Sequence, residues 1–402
     1  MKVFVVNAGS SSLKYQLIDM EDETAMAWGI VERIGDAIGS YCHKKKNWDG
    51  TEEKTVMEQE IADHKAAMHL VIKMITTQKG VIQNIGEIDV IGHRVVQGGE
   101  AFTRAVLIDD LVKTAIRENN PLAPLHNPAN LAGIEVAEDL FPGTPNVAVF
   151  DTQFHQTMPA KAYLYALPYD YYTDLKVRRY GFHGTSHKFV AQKAACLMGK
   201  KPGDINVITV HIGNGGSVTA VKKGECIDTS MGMTPLAGTM MGTRCGDIDP
   251  AIPGYIARAK NMSLKEVDSV LNKSCGLRGI CGMNDMRDIH AGAAKGDEKA
   301  ILAVEMFAYS VKKYIGSYYA ALGMVDAVVF TAGIGENDDI VRSRVCRNME
   351  GLGIEIDLDE NDGRIAQPRK ISRDTSRVQV WVIPTNEELQ IAQESVEVVH
   401  AR

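Results

Sequence analysis

The sequence predicts an α/β protein of two domains built on one plan. Three observations carry that prediction. The chain has 402 residues, more than one hydrophobic core usually serves. Two segments, VFVVNAGSSSLKYQLIDM and INVITVHIGNGGSVTAVKKGECIDTS, share a layout of apolar strand, small polar loop and alternating strand. A third, VDAVVFTAGIGENDDIVRSRV, reads as strand, glycine-rich loop and helix.

Taken in order, residues 1–19 form two strands around the serine loop, because Leu13, Tyr15 and Leu17 alternate with Lys14 and Gln16. Charged, mixed segments with further strands follow to about residue 60. The run His64 to Gln78 has apolar residues at helical spacing and reads as a surface helix. IDVIGHRVVQGGE begins as a buried strand and ends in a polar loop. PLAPLHNPANLAGIEVAEDLF opens on prolines that disfavour regular structure, then turns helical around Asn130. PNVAVFDTQFHQT is a short apolar strand ending in Asp151. Near the end, Asn386 and Glu387 start a helix. No low-complexity linker separates the halves, so the two domains are expected to pack across a cleft.

Composition excludes several classes. With 45% hydrophobic and 24% charged residues the chain reads as a soluble globular protein. The net charge of −7 argues against non-specific nucleic-acid binding, which leans on basic patches. The seven cysteines contain no C-x-x-C pair, which argues for reduced thiols rather than zinc or a disulfide framework. No apolar run reaches the roughly 18 residues of a membrane span, and no secretory signal opens the chain. A cytoplasmic protein that binds neither nucleic acid nor membrane is expected.

The serine loop is more than a chain reversal, which Asn-Gly alone would manage. NAGSSS offers backbone N–H groups and hydroxyls, with Lys14 just beyond, and so suits an anion such as phosphate. It lacks the G-x-x-x-x-G-K-[ST] pattern and the following helix of a Walker A loop, so a hairpin would cradle the phosphate. NAGSSS, HIGNGGS and TAGIGEN all stand at the carboxyl ends of apolar strands, the edge where α/β folds gather ligands. Arg94, His126, His183 and Arg244 lie in loops rich in glycine, threonine or proline, the usual home of functional polar groups. His183 and His187 lack the H-E-x-x-H context of a zinc site. Acidic candidates are Asp151 and Glu387, then Glu336, Asp247 and Asp249. A lone carboxylate near phosphates usually serves Mg2+.

Together NAGSSSLKYQ, GHRVV, PLAPLHNPAN, VFDTQFHQTMP, RRYGFHGTSH, HIGNGGS, DTSMGMTPLAGTMMGTRCGDIDP, TAGIGEN and IPTNEE resemble the acetokinase family over essentially the whole chain. That family belongs to the actin and sugar-kinase superfamily. The resemblance implies two ribonuclease-H-like domains with a nucleotide cleft between them, in a homodimer. It implies reversible, Mg2+-dependent (or Mn2+-dependent) phosphoryl transfer between ATP and acetate, giving acetyl phosphate and ADP by direct in-line displacement. Propionate or butyrate is the alternative acceptor within the family. Residues 1–152 with 386–402 would form the acyl-substrate and phosphate-loop domain, and 153–385 the nucleotide domain.

Residue by residue, the resemblance assigns Asn7 and Glu387 to the metal, and Ser12 and Lys14 to ATP. His211, Ile212, Gly213, Asn214 and Gly215 match further ATP contacts, as do Asp285, Met286 and Arg287, and Gly333, Ile334, Gly335, Glu336 and Asn337. Arg94 matches the arginine that holds the substrate carboxylate, with His126, His183 and Arg244 around the transferred phosphoryl group. Asp151 matches the acidic catalytic position. Val96, Leu125, Phe182 and Pro235 fall where relatives line the acyl pocket. Two departures stand out: Gln97 where the family usually has histidine, and Cys275 and Cys281 where it commonly has serine.

A carboxylate nucleophile is already ionised at pH 7, since such groups have pKa values of about 4–4.5. A general base therefore has little to do, and Asp151 is expected to position a neighbouring group. The difficulty is the mutual repulsion of two anions, which positive charge and positioning must overcome. A nucleotide-driven switch of the actin type would need phosphate loops but not the Arg94, His126, His183 and Arg244 set.

Overall fold

The opening apolar run forms β1 (Lys2–Ala8), which turns through Gly9–Ser11 into the antiparallel β2 (Ser12–Asp19). β3 (Thr24–Glu32), β4 (Gly39–Lys46) and β5 (Glu52–Gln59) continue the meander outward. On the other side of β1 lie β6 (Val90–Val95) and, beyond it, β8 (Asn146–Phe150), both parallel to β1. β7 (Val106–Leu107) closes that edge of the eight-stranded sheet. In the computed structural model, which describes residues 1–47, 49–76 and 80–401, these strands belong to a first unit of Met1–Gln156 with Asn386–Arg402.

Side-chain alternation on β1 explains how this sheet is covered. Phe4 and Val6 face the helices His64–Thr76 and Asn127–Leu140, and pack with Met68, Val71, Ala137 and Phe141. Val3 and Val5 face the last helix, Glu387–His400, and pack with Val147, Val149, Ile391 and Ala392. β8 is buried along its whole length, as expected for a parallel strand covered on both faces.

The second unit, Thr157–Thr385, repeats the scheme. β9 (Asn206–Ile212) turns into the antiparallel β10 (Gly216–Lys222), and β11 (Glu225–Thr229) follows. β12 (Ala327–Thr331) and β14 (Gln379–Val382) run parallel to β9, with the short β13 (Arg369–Lys370) at the edge. The helix Glu298–Leu322 lays Phe307, Val311 and Ile315 on Ile208, Val210 and Ile212. In both sheets the central strand has its antiparallel hairpin partner on one side, followed by three more antiparallel strands in the first sheet and one in the second. On the other side lie two parallel strands and a short antiparallel edge strand. That is the expected ribonuclease-H-like order, present twice.

Several expectations need refinement. The helix begins at His64 and is described to Thr76, while its expected end at Gln78 lies outside the described residues. The prolines near residue 121 allow one 3-10 turn, Asn120–Leu122, before the helix Asn127–Leu140. Gly216 and Ser217, expected in a loop, already belong to β10. TAGIGEN is not a loop: Ala332–Asn337 is a short helix directly after β12. Composition hid this because glycine has poor helix propensity. Glu336 reaches back to accept from the Ala332 N–H at 2.8 Å, and Asn337 Nδ2 donates to Gly333 O at 2.7 Å. These contacts satisfy groups at the helix start and hold the turn closed.

Candidate functional site

In the first unit the expected residues gather where β1, β6 and β8 end. The β1–β2 register sets Asn7 opposite Lys14, beside the Gly9–Ser11 turn, and Ser12 begins β2. Arg94 stands near the end of β6, and Asp151 directly follows β8. Arg94 donates from Nε at 2.8 Å and from Nη2 at 2.7 Å to the two carboxylate oxygens of Asp151. Burial opposes charge on this guanidinium, but Asp151, with Glu387 and Glu388, raises its pKa above the ordinary arginine value. A guanidinium has five N–H donors, so three remain for a ligand after Asp151 takes two.

The start of the last helix completes this region. Asn386 caps it, accepting from the Leu389 N–H at 3.0 Å, and puts Glu387 and Glu388 in the first turn. Burial pushes the Glu387 carboxyl up, Arg94 pulls it down, and Asp151 and Glu388 push it up again. Glu388 pairs with Lys14, a contact that sequence reasoning missed. The NEE doublet in IPTNEE was its one visible signal. Val96 is buried after Arg94. His126 precedes the helix Asn127–Leu140, and Leu125 beside it is 68% exposed, so in this structure Leu125 is not an enclosed wall residue. Gln97 is fully buried and folds its amide onto its own loop, its Oε1 accepting from the Gly99 N–H at 2.9 Å.

In the second unit a tighter cluster forms. His183 sits at φ +56°, ψ +26°, immediately before the helix Gly184–Leu197. A left-handed non-glycine residue costs about 1–3 kcal/mol and marks functional sites more often than chance. Its ring stacks on His211 with centroids 4.3 Å apart. His211 Nδ1 bonds the Ser186 hydroxyl at 2.8 Å, which in turn bonds Thr385 Oγ1 at 2.8 Å. A Cβ added to Gly215 would lie 3.2 Å from His183 Nε2 and 3.7 Å from Arg244 Nη1. The β9–β10 loop, the histidine and the arginine therefore converge on one spot, and a side chain at 215 would require the imidazole to give way.

Arg244 is held in a turn whose backbone is used elsewhere. The carbonyls of Met241, Gly242 and Thr243 accept from the N–H groups of Leu277, Arg278 and Cys275, respectively, at 2.9, 3.0 and 3.0 Å. The start of the helix Gly276–Cys281 thereby anchors the turn. Arg244 Nη1 reaches Pro235 O at 3.3 Å, and burial lowers its pKa. No carboxylate among the described residues forms an ion pair with it. A half-buried cation without a counter-charge is suited to an incoming anion. Phe182 is buried beside His183.

The other segments border this cluster. Gly213, at the β9 end, approaches Gly333 N and Ala332, whose φ is +67°. Asp285 caps the helix Met286–Ala294 and forks onto Arg287 at 3.0 and 2.6 Å, which pulls the Asp285 carboxyl down to about 2. His290 Nε2 bonds Asp338 Oδ2 at 2.7 Å and so ties this helix to the one after Asn337. The further acidic candidates, Glu336, Asp247 and Asp249, each accept hydrogen bonds within the fold. Glu336 closes the Ala332 turn and also accepts from the Thr385 N–H at 3.1 Å. Asp247 accepts from Gly238 N and Tyr314, and Asp249 accepts from the Ala251 N–H at the next helix start. His187 bonds Thr209 Oγ1 at 2.7 Å, in a buried setting.

Both units thus present glycine-bearing turns and cationic side chains at the carboxyl ends of their strands. That arrangement defines an α/β protein whose strand ends are chemically suited to anionic ligands. The acetokinase family model matches residues 2–393, and the chain belongs to that family. Acetate kinase of Oleidesulfovibrio alaskensis is 59% identical over 400 residues, covering 99% of this chain and 100% of that protein. Acetate kinase of Lawsonia intracellularis is 54% identical, covering 99% of each. Among solved structures, Porphyromonas gingivalis acetate kinase superposes with a TM-score of 0.93 at 43% identity, over 99% of both chains. A propionate kinase from Francisella tularensis gives 0.91 at 41% identity, again over 99% of both.

Proposed function

We propose that the protein is an ATP:acetate phosphotransferase, which transfers the γ-phosphoryl group of ATP to acetate and runs in reverse from acetyl phosphate and ADP. Full-length relatives named acetate kinase support this reading. The observation that carries the chemistry is Arg94, clamped by Asp151 with three N–H donors to spare. In this reading the first unit serves the acyl substrate, and the second, through His211–Gly215, Asp285–Arg287 and Gly333–Asn337, serves the nucleotide. Ser12 and Lys14 add contacts to ATP.

Acetate binds Arg94 through its carboxylate, and its methyl group packs near the buried Val96. Asp151 fixes the guanidinium plane and takes no proton, because the nucleophile is ionised already. Charge spreads over the three equatorial oxygens in the transition state. Arg244, His183 and His126 offset that charge by position rather than by covalent chemistry. The carboxylate oxygen forms its bond to phosphorus as the bond to the ADP oxygen breaks, with inversion.

Asn7 and Glu387 suit Mg2+, which favours oxygen ligands and one or two carboxylates beside phosphate. Burial, and after it the neighbouring Asp151 and Glu388, raise the Glu387 pKa against the pull of Arg94, and a divalent cation would favour the ionised carboxylate there. When bound, the ion would supply Lewis-acid neutralisation of phosphate charge. Mn2+ would substitute through the same ligand chemistry. A cytoplasmic location and a homodimer belong to the same proposal. Among the described residues no helix is long and apolar enough to cross a membrane.

The test is a rate comparison with Mg-ATP and acetate, propionate or butyrate, trapping acyl phosphate as hydroxamate. Acetate should give the highest kcat/KM. A preference for propionate or butyrate would move the assignment to the alternative acceptor, and no hydroxamate with any acid would refute it.

A further inference from the structure

We propose that one face of the helix Asn127–Leu140 sets the phosphate hairpin and the acyl-side loop in place, with Asn130 and Asn127 as positioning residues for the reaction. The proposal rests on reading Arg94 as the acetate-holding residue and NAGSSS as a phosphate hairpin. Asn130 is 4% exposed, and its amide bonds both the end of β1 and the loop after β6. Its Oδ1 accepts from the Val96 N–H at 3.0 Å, and its Nδ2 donates to Ala8 O at 2.7 Å. Val96 lies two residues after Arg94, and Ala8 follows Asn7 at the mouth of the hairpin. One side chain thus joins both.

Asn127 is fully buried and bonds the acyl side alone. Its Oδ1 accepts from the Gln97 N–H at 3.0 Å, and its Nδ2 donates to Gln97 O at 2.9 Å and to Ile116 O at 3.2 Å. Both amide orientations are forced, since exchanging O and N would set carbonyl against carbonyl and N–H against N–H. Gly133 lies on the same face, three residues further on. A Cβ there would come within 2.7 Å of the Ala8 Cβ, so the helix approaches β1 as closely as glycine allows. Residues at 127, 130 and 133 are neighbours along a helix surface.

The division of partners gives the two asparagines different kinetic signatures. Asn130→Asp keeps an acceptor for Val96 but loses the donor to Ala8, so it disturbs the phosphate side. Asn127→Asp keeps the Gln97 N–H bond but sets a carboxylate against Gln97 O and Ile116 O, so it disturbs the acyl side. Gly133→Ala presses on Ala8 and leaves every hydrogen-bonding group in place.

KM for Mg-ATP, KM for acetate and kcat are measured for each variant, with thermal melting to confirm folding. Asn130→Asp and Gly133→Ala should raise KM for Mg-ATP about tenfold, the scale of one lost buried hydrogen bond. Asn127→Asp should raise KM for acetate by about as much, and each should leave the other substrate's KM within about twofold. Equal shifts in both constants, or none in folded variants, would overturn the proposal. If Asn130→Asp does not fold, Gly133→Ala carries the phosphate arm, and Asn127→Ser replaces Asn127→Asp in the same way. Arg94→Ala separates the two failures. If it leaves KM for acetate unchanged, the Arg94 reading falls, while the Mg-ATP arm still decides the role of Asn130.

Discussion

Arg94 and Asp151 are joined by two parallel hydrogen bonds of 2.8 and 2.7 Å, from Nε and Nη2 to separate carboxylate oxygens. In the proposed reaction this geometry suits Asp151 to a positioning role, because each of its oxygens holds one N–H of the same guanidinium. Asp151→Asn leaves one good acceptor and an under-compensated buried cation. Breaking such a pair costs about 3–5 kcal/mol where it is fully buried. The expected outcome is a loss of about 10²-fold or more in kcat/KM for acetate, with the shape of the acid limb of kcat retained. A pH-rate series checks it. An acid limb that flattens in the variant while metal affinity is unchanged would make Asp151 a proton acceptor.

Arg244 has the opposite character, a half-buried cation without an ion-pair partner among the described residues. Replacement by alanine or lysine should depress kcat by about 10²–10⁵, as for other arginines that act in phosphoryl-transfer transition states. KM values should change far less. Steady-state kinetics decide it, and a rise in KM alone would assign Arg244 to ground-state binding.

Much of this site was legible in the sequence, for identifiable reasons. Strand alternation around NAGSSS and the fully apolar VAVF before Asp151 located strand ends, and strand ends carry the loops. The pairing of Lys14 with Glu388 was not legible, because the partners lie at opposite ends of the chain and no local pattern links them. The bracing bonds of Asn127 and Asn130 were not legible, since a side chain that braces a distant loop leaves no periodic trace. The TAGIGEN helix was hidden by its glycines and revealed only by the reach of Glu336 to Ala332. The positive φ of His183 likewise has no compositional signal.

Gly215 supplies a geometric test. The Gly215→Ala methyl would lie 3.2 Å from His183 Nε2, so the imidazole must move by a few tenths of an ångström. A fall in kcat of about tenfold is expected from that displacement, with the melting temperature nearly unchanged. Kinetics and melting measured together check it.

Two buried histidines give a pH dependence of stability. His93, bonded to Asn146, and His43, bonded to Tyr15, each have a pKa lowered by burial from 6.5 to about 4. The unfolded chain binds protons that the folded chain refuses between these values, so stability is full above pH 6.5 and falls as pH drops towards 4. Each histidine contributes a loss of order 3 kcal/mol across that window. Denaturant titrations from pH 7 to pH 5 should show the decline, and His93→Gln should flatten part of it. An unchanged slope in the variant would show that His93 titrates normally.

Val96, which we propose lines the acyl side, is buried. One methylene is worth about 1–3 kcal/mol in such a pocket, so propionate should be a poorer substrate by about 10–200-fold. Val96→Ala should narrow that gap, as kcat/KM for the two acids will show.

Direct transfer between two anions held by cationic side chains is tested most sharply by the stereochemical course at phosphorus. ATP carrying an isotopically chiral γ-phosphoryl group is turned over with acetate, and the configuration of the acetyl phosphate is determined. Inversion is the expected result. Retention would require an intermediate phosphoenzyme and contradict the direct role given to Arg94, His183 and Arg244.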